Sequence, residues 1–424
     1  MLQLNYIRDN KEEAIKRLNL KNFKDAESVI NSVIELDNNR KAAQKQSDDC
    51  KAEANTIARQ IGELMKSGKK EEAEKLKART AELKATEKQL DEKLKNIEEQ
   101  VRAILLTVPN TPNLGVPPGK TAEDNEVVLE EGAKPNLYAG AKPHWELTTQ
   151  YDIIDFELGV KLTGAGFPVY KGKGARLQRA LINFFLDKAI AAGYYEIQPP
   201  ILVNEDSGYG TGQLPDKEGQ MYHATIDNLY LIPTAEVPVT NIYRDVILKE
   251  SDLPIKNCGY TPCFRREAGS YGKDVRGLNR LHQFDKVEIV QIAHPDESYK
   301  ILEEMREHSI NLLRDLELPF RVLKLCGGDM SFASALTYDL EVWSAAQQRW
   351  LEVSSVSNFE TFQTNRLKCR YRDEKGKTQL AHSLNGSALA LPRIVAALLE
   401  NNQTESGIRI PKALVPYCGF DSIS

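Results

Sequence analysis

Between residues 28 and 104 the chain contains no proline, no aromatic residue and only two glycines, Gly62 and Gly68. A run of that length without a breaker reads as helix. Small or apolar residues recur at Val29, Val33, Leu36, Ala43, Ser47, Cys50, Ala54, Ile57, Ile61 and Leu64, with Arg40 interrupting an alternation of fours and threes. A second series runs Ala73, Leu76, Thr80, Leu83, Glu87, Leu90, Leu94, Ile97, Val101 and Ile104. These are the a and d positions of heptads. Lys66-Ser67-Gly68-Lys69-Lys70 separates the two series and predicts a reversal between antiparallel helices. A hairpin whose helices extend roughly 50 Å at 1.5 Å per residue has little core of its own, so its use is reach.

Charge gives the hairpin a direction. It carries 15 basic and 13 acidic residues between 38 and 100, on a chain whose net charge is −5. Lys66, Lys69 and Lys70 lie at the tip. Two readings fit: a solvated coiled coil of mixed charge, and an arm that touches a polyanion. The acidic total argues against binding nucleic acid over the whole surface. No apolar run approaches the roughly 18 residues of a membrane span, Ile394 to Leu399 being typical of the longest. Arg8 and Asp9 fall where a secretory signal needs an apolar core, which predicts a cytoplasmic protein without a membrane partner. The six cysteines are scattered, with no second ligand pair at zinc spacing beside Cys258 and Cys263, so no zinc is expected.

After Ile104 the pattern changes. Pro109, Pro112, Pro117 and Pro118 end the helix, dividing the chain into domains at 1–108 and 109–424. Beyond them, Ala175 to Ala192 reads as a helix with Leu177, Leu181, Phe184, Phe185 and Lys188 on one face. Tyr195 to Ile197, Leu229 to Ile232, Leu281 to Val290 and Trp350 to Val356 read as strands, and Leu389 to Asn401 as a closing apolar helix. The order does not alternate regularly. It predicts an α+β fold, a mixed or antiparallel sheet flanked by helices, rather than a doubly wound one.

Gly115-Val-Pro-Pro-Gly119-Lys120-Thr121 imitates a phosphate loop, but its spacing is one residue short and it follows prolines instead of a strand. The informative stretch is Cys263 to Glu288, which reads as strand, long loop, strand. Period-two alternation gives Arg265 and Glu267 a common face in the first strand, and His282, Phe284, Lys286 and Glu288 a common face in the second. An outward row of arginine, carboxylates and an aromatic is poor core material and spans an adenylate-sized ligand. A merely structural Glu288 would need a basic partner, for which Lys286 is available.

The Cys263 to Glu288 stretch resembles motif 2 of the class II aminoacyl-tRNA synthetases. With Pro233-Thr-Ala-Glu236, Ser207-Gly-Tyr-Gly-Thr-Gly-Gln-Leu-Pro215 and the N-terminal hairpin, the whole chain resembles the bacterial-type seryl-tRNA synthetase family. That resemblance implies an enzyme that joins serine to ATP, giving seryl-adenylate, and passes the seryl group to the 3′ end of tRNA(Ser), and of tRNA(Sec) where present. It implies that 1–108 binds tRNA and 109–424 is catalytic. It implies Arg265 on the serine carboxylate and α-phosphate, with Arg266 beside it on ATP, Glu267 on the purine, Phe284 stacked on adenine and Arg393 at the γ-phosphate. Glu352 and Ser355 would hold Mg2+ and phosphate oxygens, with Val353 and Ser354 between them also at ATP. Arg265, Glu352 and Arg393 would be the catalytic set.

For serine the matching positions are Thr234, Ala235, Glu236, Glu288, Asn385 and Ser387. A pocket that hydrogen-bonds a hydroxyl leaves polar groups unpaired when alanine enters. His282 is expected to position rather than to act as a base, because the attacking carboxylate is already ionised. The resemblance also implies a homodimer, with the 175–192 helix and the strand before Pro199 near its interface. Two local conflicts remain within the sequence. Positions 352 and 355 face opposite sides of an ideal strand, so a bulge or twist is required. Ala388 and Pro392 stand where the family commonly has glycines, and Pro392 is compatible only with a first helical turn or a kink. Two competing readings are an adenylate-forming ligase with another acyl acceptor, which has no use for the arm, and a coiled-coil scaffold, which has no use for the Arg265 row.

Overall fold

The structure is a computed structural model, and it describes residues 1–216, 219–267 and 276–424. It divides into two units, one of residues 2–19 and 23–109, the other of residues 1, 20–22 and 110–424.

In the first unit, helices Ala26–Lys66 and Lys70–Leu105 pack against each other as a hairpin. They break at Ser67 to Lys69, where Gly68 takes φ +77°, a left-handed conformation that glycine adopts without strain. The anticipated seam residues are buried or half-buried throughout, from Ala43, Ser47 and Ile57 on one helix to Leu83, Leu94, Ile97 and Val101 on the other. At the root the seam takes in Ala26, Ile30 and Asp37 as well as Val33. The interruption at Arg40 has a physical reason. Asp37 is 3% exposed, and Arg40 and Lys41 reach it at 2.8 and 2.7 Å. Across the seam, Arg79 meets Glu53 at 2.9 Å. Two shorter helices, Leu4–Asp9 and Lys11–Leu20, precede the hairpin and escaped the periodicity reading.

The second unit is built on eight strands: β1 (Glu126–Glu131), β2 (Tyr195–Glu196), β3 (Ile255–Phe264), β4 (Gln283–Ala293), β5 (Phe320–Lys324), β6 (Leu336–Ser344), β7 (Arg349–Asn358) and β8 (His382–Ala390). Their spatial order is β1-β5-β6-β7-β8-β4-β3-β2, antiparallel at every pairing except β2 with β3. The expected α+β class is observed. One face of the central strands, through Val287, Ile289 and Val353, joins a single core with helices Gly172–Ala191, Ser298–Asp315 and Leu391–Asn401. Leu177, Leu181, Phe184 and Phe185 are fully buried in it. Lys188 is not on that face: Ala189 fills the position, and Lys188 lies at the rim, 2.7 Å from Asp315. Among the described residues no helix is long and apolar enough to cross a membrane.

Two irregularities of the sheet matter for the site. Leu340 pairs with Ser354 but Glu341 with Glu352, so β7 carries one extra residue, Val353. Lys286 pairs with Ala390 but Glu288 with Ser387, so β8 carries one extra residue against β4, and there Leu389 takes φ +83°. Ala388 and Leu389 are fully buried at that bulge. Helix Leu391–Asn401 starts just beyond, with Pro392 in its first turn as the proline requires.

Candidate active site

β3 ends at Phe264, and Arg265 continues the ladder by one bond, its N–H donating to the His282 carbonyl at 2.9 Å. Its guanidinium lies 5.2 Å from the centre of the Phe284 ring, flat cation against aromatic face. The expectation that Glu267 shares a face with Arg265 by strand alternation fails, because Glu267 is outside the strand with φ +48°. Its carboxylate instead meets Arg280 at 2.5 Å. Arg266 is anchored by its N–H on the Gln220 carbonyl and by Nε on Met221 O at 3.2 Å, and stacks on Tyr222 at 5.1 Å. The middle of the long loop, residues 268–275, lies outside the described residues. His282 is held on both sides: Nδ1 is 2.8 Å from the Tyr222 hydroxyl, and the ring stacks on Phe167.

The bulge at Val353 resolves the conflict between positions 352 and 355. Glu352 is exposed, Val353 and Ser354 are buried and Ser355 is half-buried, so the flanking pair shares a face. Val353 lies in the core and the Ser354 hydroxyl donates to Ser387 O at 2.7 Å, which leaves only the backbone of these two for any nucleotide contact. Asp339, directly across from Ser355, had escaped notice. Burial and then the charge of Glu352 push its carboxyl well above the ordinary range, against the hydrogen bond with Ser355, and its Oδ1 is buried without a partner. Hard oxygen donors with one buried oxygen unsatisfied suit a divalent cation. Among the described residues no group of three or more His, Cys, Asp or Glu side chains could hold a metal ion alone. A cation at this place would therefore take further oxygens from phosphate and water. Arg393 closes this end: Nε donates to Asn279 O at 3.0 Å and Nη1 to Glu352 O at 2.7 Å.

A polar pocket forms from Pro233-Thr-Ala-Glu236 and β4. Thr234 Oγ1 donates to Glu288 Oε2 at 3.1 Å and accepts the Glu236 N–H at 3.2 Å. Ala235 is buried against Val239 and Val290. Ser387 faces Glu288 across the strand pair and Asn385 faces Val290; the Asn385 Nδ2 is buried with no acceptor in hydrogen-bond geometry. Lys286 reaches Glu288 Oε2 at 2.6 Å, so the basic partner required by a structural Glu288 is present. Sequence reasoning missed Gln363, which donates to Glu236 Oε1 at 2.6 Å and is itself held by Ser383 at 2.7 Å. Nothing in the local sequence marks it, since the contact joins positions 127 residues apart.

Burial and then the Glu288 charge raise the Glu236 carboxyl from 4.5 to about 7, against the Gln363 hydrogen bond and the Lys286 charge. A raised folded value means stability that is complete below the unfolded pKa and is lost as pH rises through the folded one. Between about pH 4.5 and 7 this group should destabilise the ligand-free fold by on the order of 3 kcal/mol. Glu236→Gln should therefore gain stability relative to the native chain as pH rises across that window. Thermal melts at pH 4, 6 and 8 check it, and parallel curves would refute the assignment.

Comparison with known proteins places this geometry. Residues 1–112 match the seryl-tRNA synthetase N-terminal domain, and residues 222–402 the tRNA synthetase class II core domain of the G, H, P, S and T group. The chain is 50% identical over 425 residues to the serine–tRNA ligase of Salinibacter ruber, covering 100% of this chain and 99% of that protein. The chain belongs to the seryl-tRNA synthetase family. The serine–tRNA ligase of Geobacter sulfurreducens is 47% identical, with 99% of each chain covered. Among solved structures, seryl-tRNA synthetase from Pyrococcus horikoshii complexed with ATP superposes with a TM-score of 0.93 at 32% identity, over 100% of this chain and 99% of that one. The cytoplasmic serine–tRNA ligase of Naegleria fowleri with AMP gives 0.88 at 26%, with the same coverage. Seryl-tRNA synthetases thus share with this chain both the hairpin and the sheet.

Proposed function

We propose that the chain activates L-serine with ATP and transfers the seryl group to tRNA(Ser), and to tRNA(Sec) where a host makes it. The observation that carries the reading is the Thr234–Glu236–Glu288 pocket: two buried carboxylates and a hydroxyl, one carboxyl poised near neutrality. A serine ammonium favours the ionised form of Glu236, and the polar lining satisfies the substrate hydroxyl where alanine would leave it unpaired.

The serine carboxylate oxygen attacks the α-phosphorus as the bond to pyrophosphate breaks. A terminal ribose hydroxyl of tRNA then attacks the acyl carbon, and AMP leaves. Arg265 sits where negative charge gathers and Phe284 offers its ring to adenine. Arg393 holds the far phosphate, and Glu352 and Ser355, with Asp339 behind them, would hold Mg2+. The ion neutralises phosphate charge when bound. Residues 1–108 grip tRNA and residues 109–424 carry the chemistry.

The chain acts in the cytoplasm as a homodimer. An open cleft is lined by Gln178, Arg179, Ile182, Leu186, Glu196 and Ile197 of the 175–198 segment together with Tyr260, and the neighbouring Tyr195 is 74% exposed, a surface of mixed polarity suited to a second copy. Exchange of labelled pyrophosphate into ATP, run with each of the twenty amino acids and no tRNA, tests the reading. Serine alone should support exchange; exchange with a different amino acid would reassign the pocket, and none in folded protein with Mg2+ present would overturn the synthetase reading.

A further inference from the structure

The proposed reaction leaves His144 unused, although its side chain is fully buried at the start of helix His144–Gln150. Its Nδ1 is 2.7 Å from Glu400 Oε1, and its backbone N–H donates to the same oxygen at 3.0 Å. On the other side of the ring, Nε2 accepts the backbone N–H of Leu278 at 2.8 Å. An amide N–H can only donate, so Nε2 presents its lone pair and the ring proton sits on Nδ1, facing Glu400. The approach is close: a Cβ on Gly277, whose φ is +61°, would stand 2.2 Å from Nε2.

A second route leaves the same carboxylate. Gln347 Nε2 donates to Glu400 Oε1 at 3.0 Å, and Gln347 Oε1 accepts from Asn279 Nδ2 at 3.0 Å. The other oxygen of Glu400 takes the Ser344 hydroxyl. One buried carboxylate therefore fixes two successive residues, Leu278 by its backbone and Asn279 by its side chain, where the long loop returns to the sheet. The Asn279 carbonyl is the group that accepts Arg393 Nε at 3.0 Å.

We propose that Glu400, His144 and Gln347 form a positioning clamp that sets the Asn279 carbonyl, and through it aims the Arg393 guanidinium at ATP. The clamp rests on the reading of Arg393 as an ATP ligand. Three polar residues fully or largely removed from water, bonded in series to the Leu278 amide and the Asn279 side chain, fix the residue whose carbonyl is one of the two backbone anchors of the Arg393 guanidinium, beside the Glu352 carbonyl. None of the three is among the residues assigned to serine, ATP or Mg2+, so each acts on orientation alone.

The test uses the full-length protein and serine-dependent pyrophosphate exchange, with KM determined separately for ATP and serine. Gln347→Ala is the leading variant, because Gln347 is partly exposed and its loss leaves the core intact; His144→Gln is the second, with thermal melts confirming that both fold. Each should raise the KM for ATP at least fivefold while leaving the KM for serine within twofold. In an Arg393→Ala background neither should add more than twofold, since the guanidinium they aim is gone. Equal rises in both KM values, unchanged KM values, or full additivity with Arg393→Ala would overturn the clamp. If Arg393→Ala alone leaves the KM for ATP unchanged, the ATP reading of Arg393 fails at that single variant, and the clamp falls with it.

Discussion

Arg265→Ala should abolish serine-dependent pyrophosphate exchange, lowering kcat/KM by roughly a thousandfold or more. Removing one preorganised donor to a developing oxyanion typically loses about 10²–10³ in rate, and a guanidinium meeting phosphoryl charge up to about 10⁵. Arg265 is aligned before substrate arrives, its backbone by the N–H bond to the His282 carbonyl and its guanidinium by the Phe284 ring. Folding should survive, because Arg265 is only half-buried and its loss opens no core cavity. Arg265→Lys should recover little, since a point charge cannot reproduce the planar fork or the stack. Single-turnover measurements of adenylate formation would locate the loss in the chemical step. Activity within tenfold of the native level would remove Arg265 from the site.

Replacing residues 38–100 by a short glycine-rich turn should separate the two half-reactions. Exchange without tRNA should keep its KM for serine and ATP within twofold, whereas charging of tRNA(Ser) should fall by at least a thousandfold. A basic-tipped hairpin binds duplex RNA through phosphates and shape, and a handful of such contacts accounts for losses of this size. The same reasoning makes charging by the intact protein sensitive to salt while exchange is not. Undiminished charging by the shortened chain would mean that the hairpin is not the tRNA-binding element, and joint loss of both reactions would mean that it supports the fold of the catalytic unit.

The parts of the fold legible in sequence are those governed by local periodicity. The hairpin could be read because its seam repeats over more than sixty residues and its reversal is marked by Gly68. Even the interruption at Arg40 was visible, although its cause, the buried Asp37, was not. The need for an irregular strand between 352 and 355 followed from strand geometry once the family resemblance put both residues on one ligand. Reading failed where the backbone leaves its regular path, as at Glu267, whose positive φ ends the alternation assumed for it. It failed again where a long side chain lies near a helix boundary, as at Lys188, which prefers the rim and Asp315 to the core. Gln363 and His144 were invisible for a third reason. Their partners lie on distant segments, and no spacing rule connects Gln363 with Glu236 or His144 with Glu400.

The extra residue in β7 changes the phase of the strand. Upstream of Val353 the strand keeps one correspondence between odd and even positions and the two faces of the sheet; downstream it keeps the opposite one. The single inserted residue acts like a half-step in a rhythm, and the carboxylate of Glu352 and the hydroxyl of Ser355 fall on the same beat because of it. Shortening the strand by that one residue would therefore do more than remove a valine. It would invert every side chain from Ser354 to Asn358 relative to the residues before it, setting core-facing Val356 toward the substrates and Ser355 toward the core. In this strand the number of residues, as much as their identity, carries the information for the site.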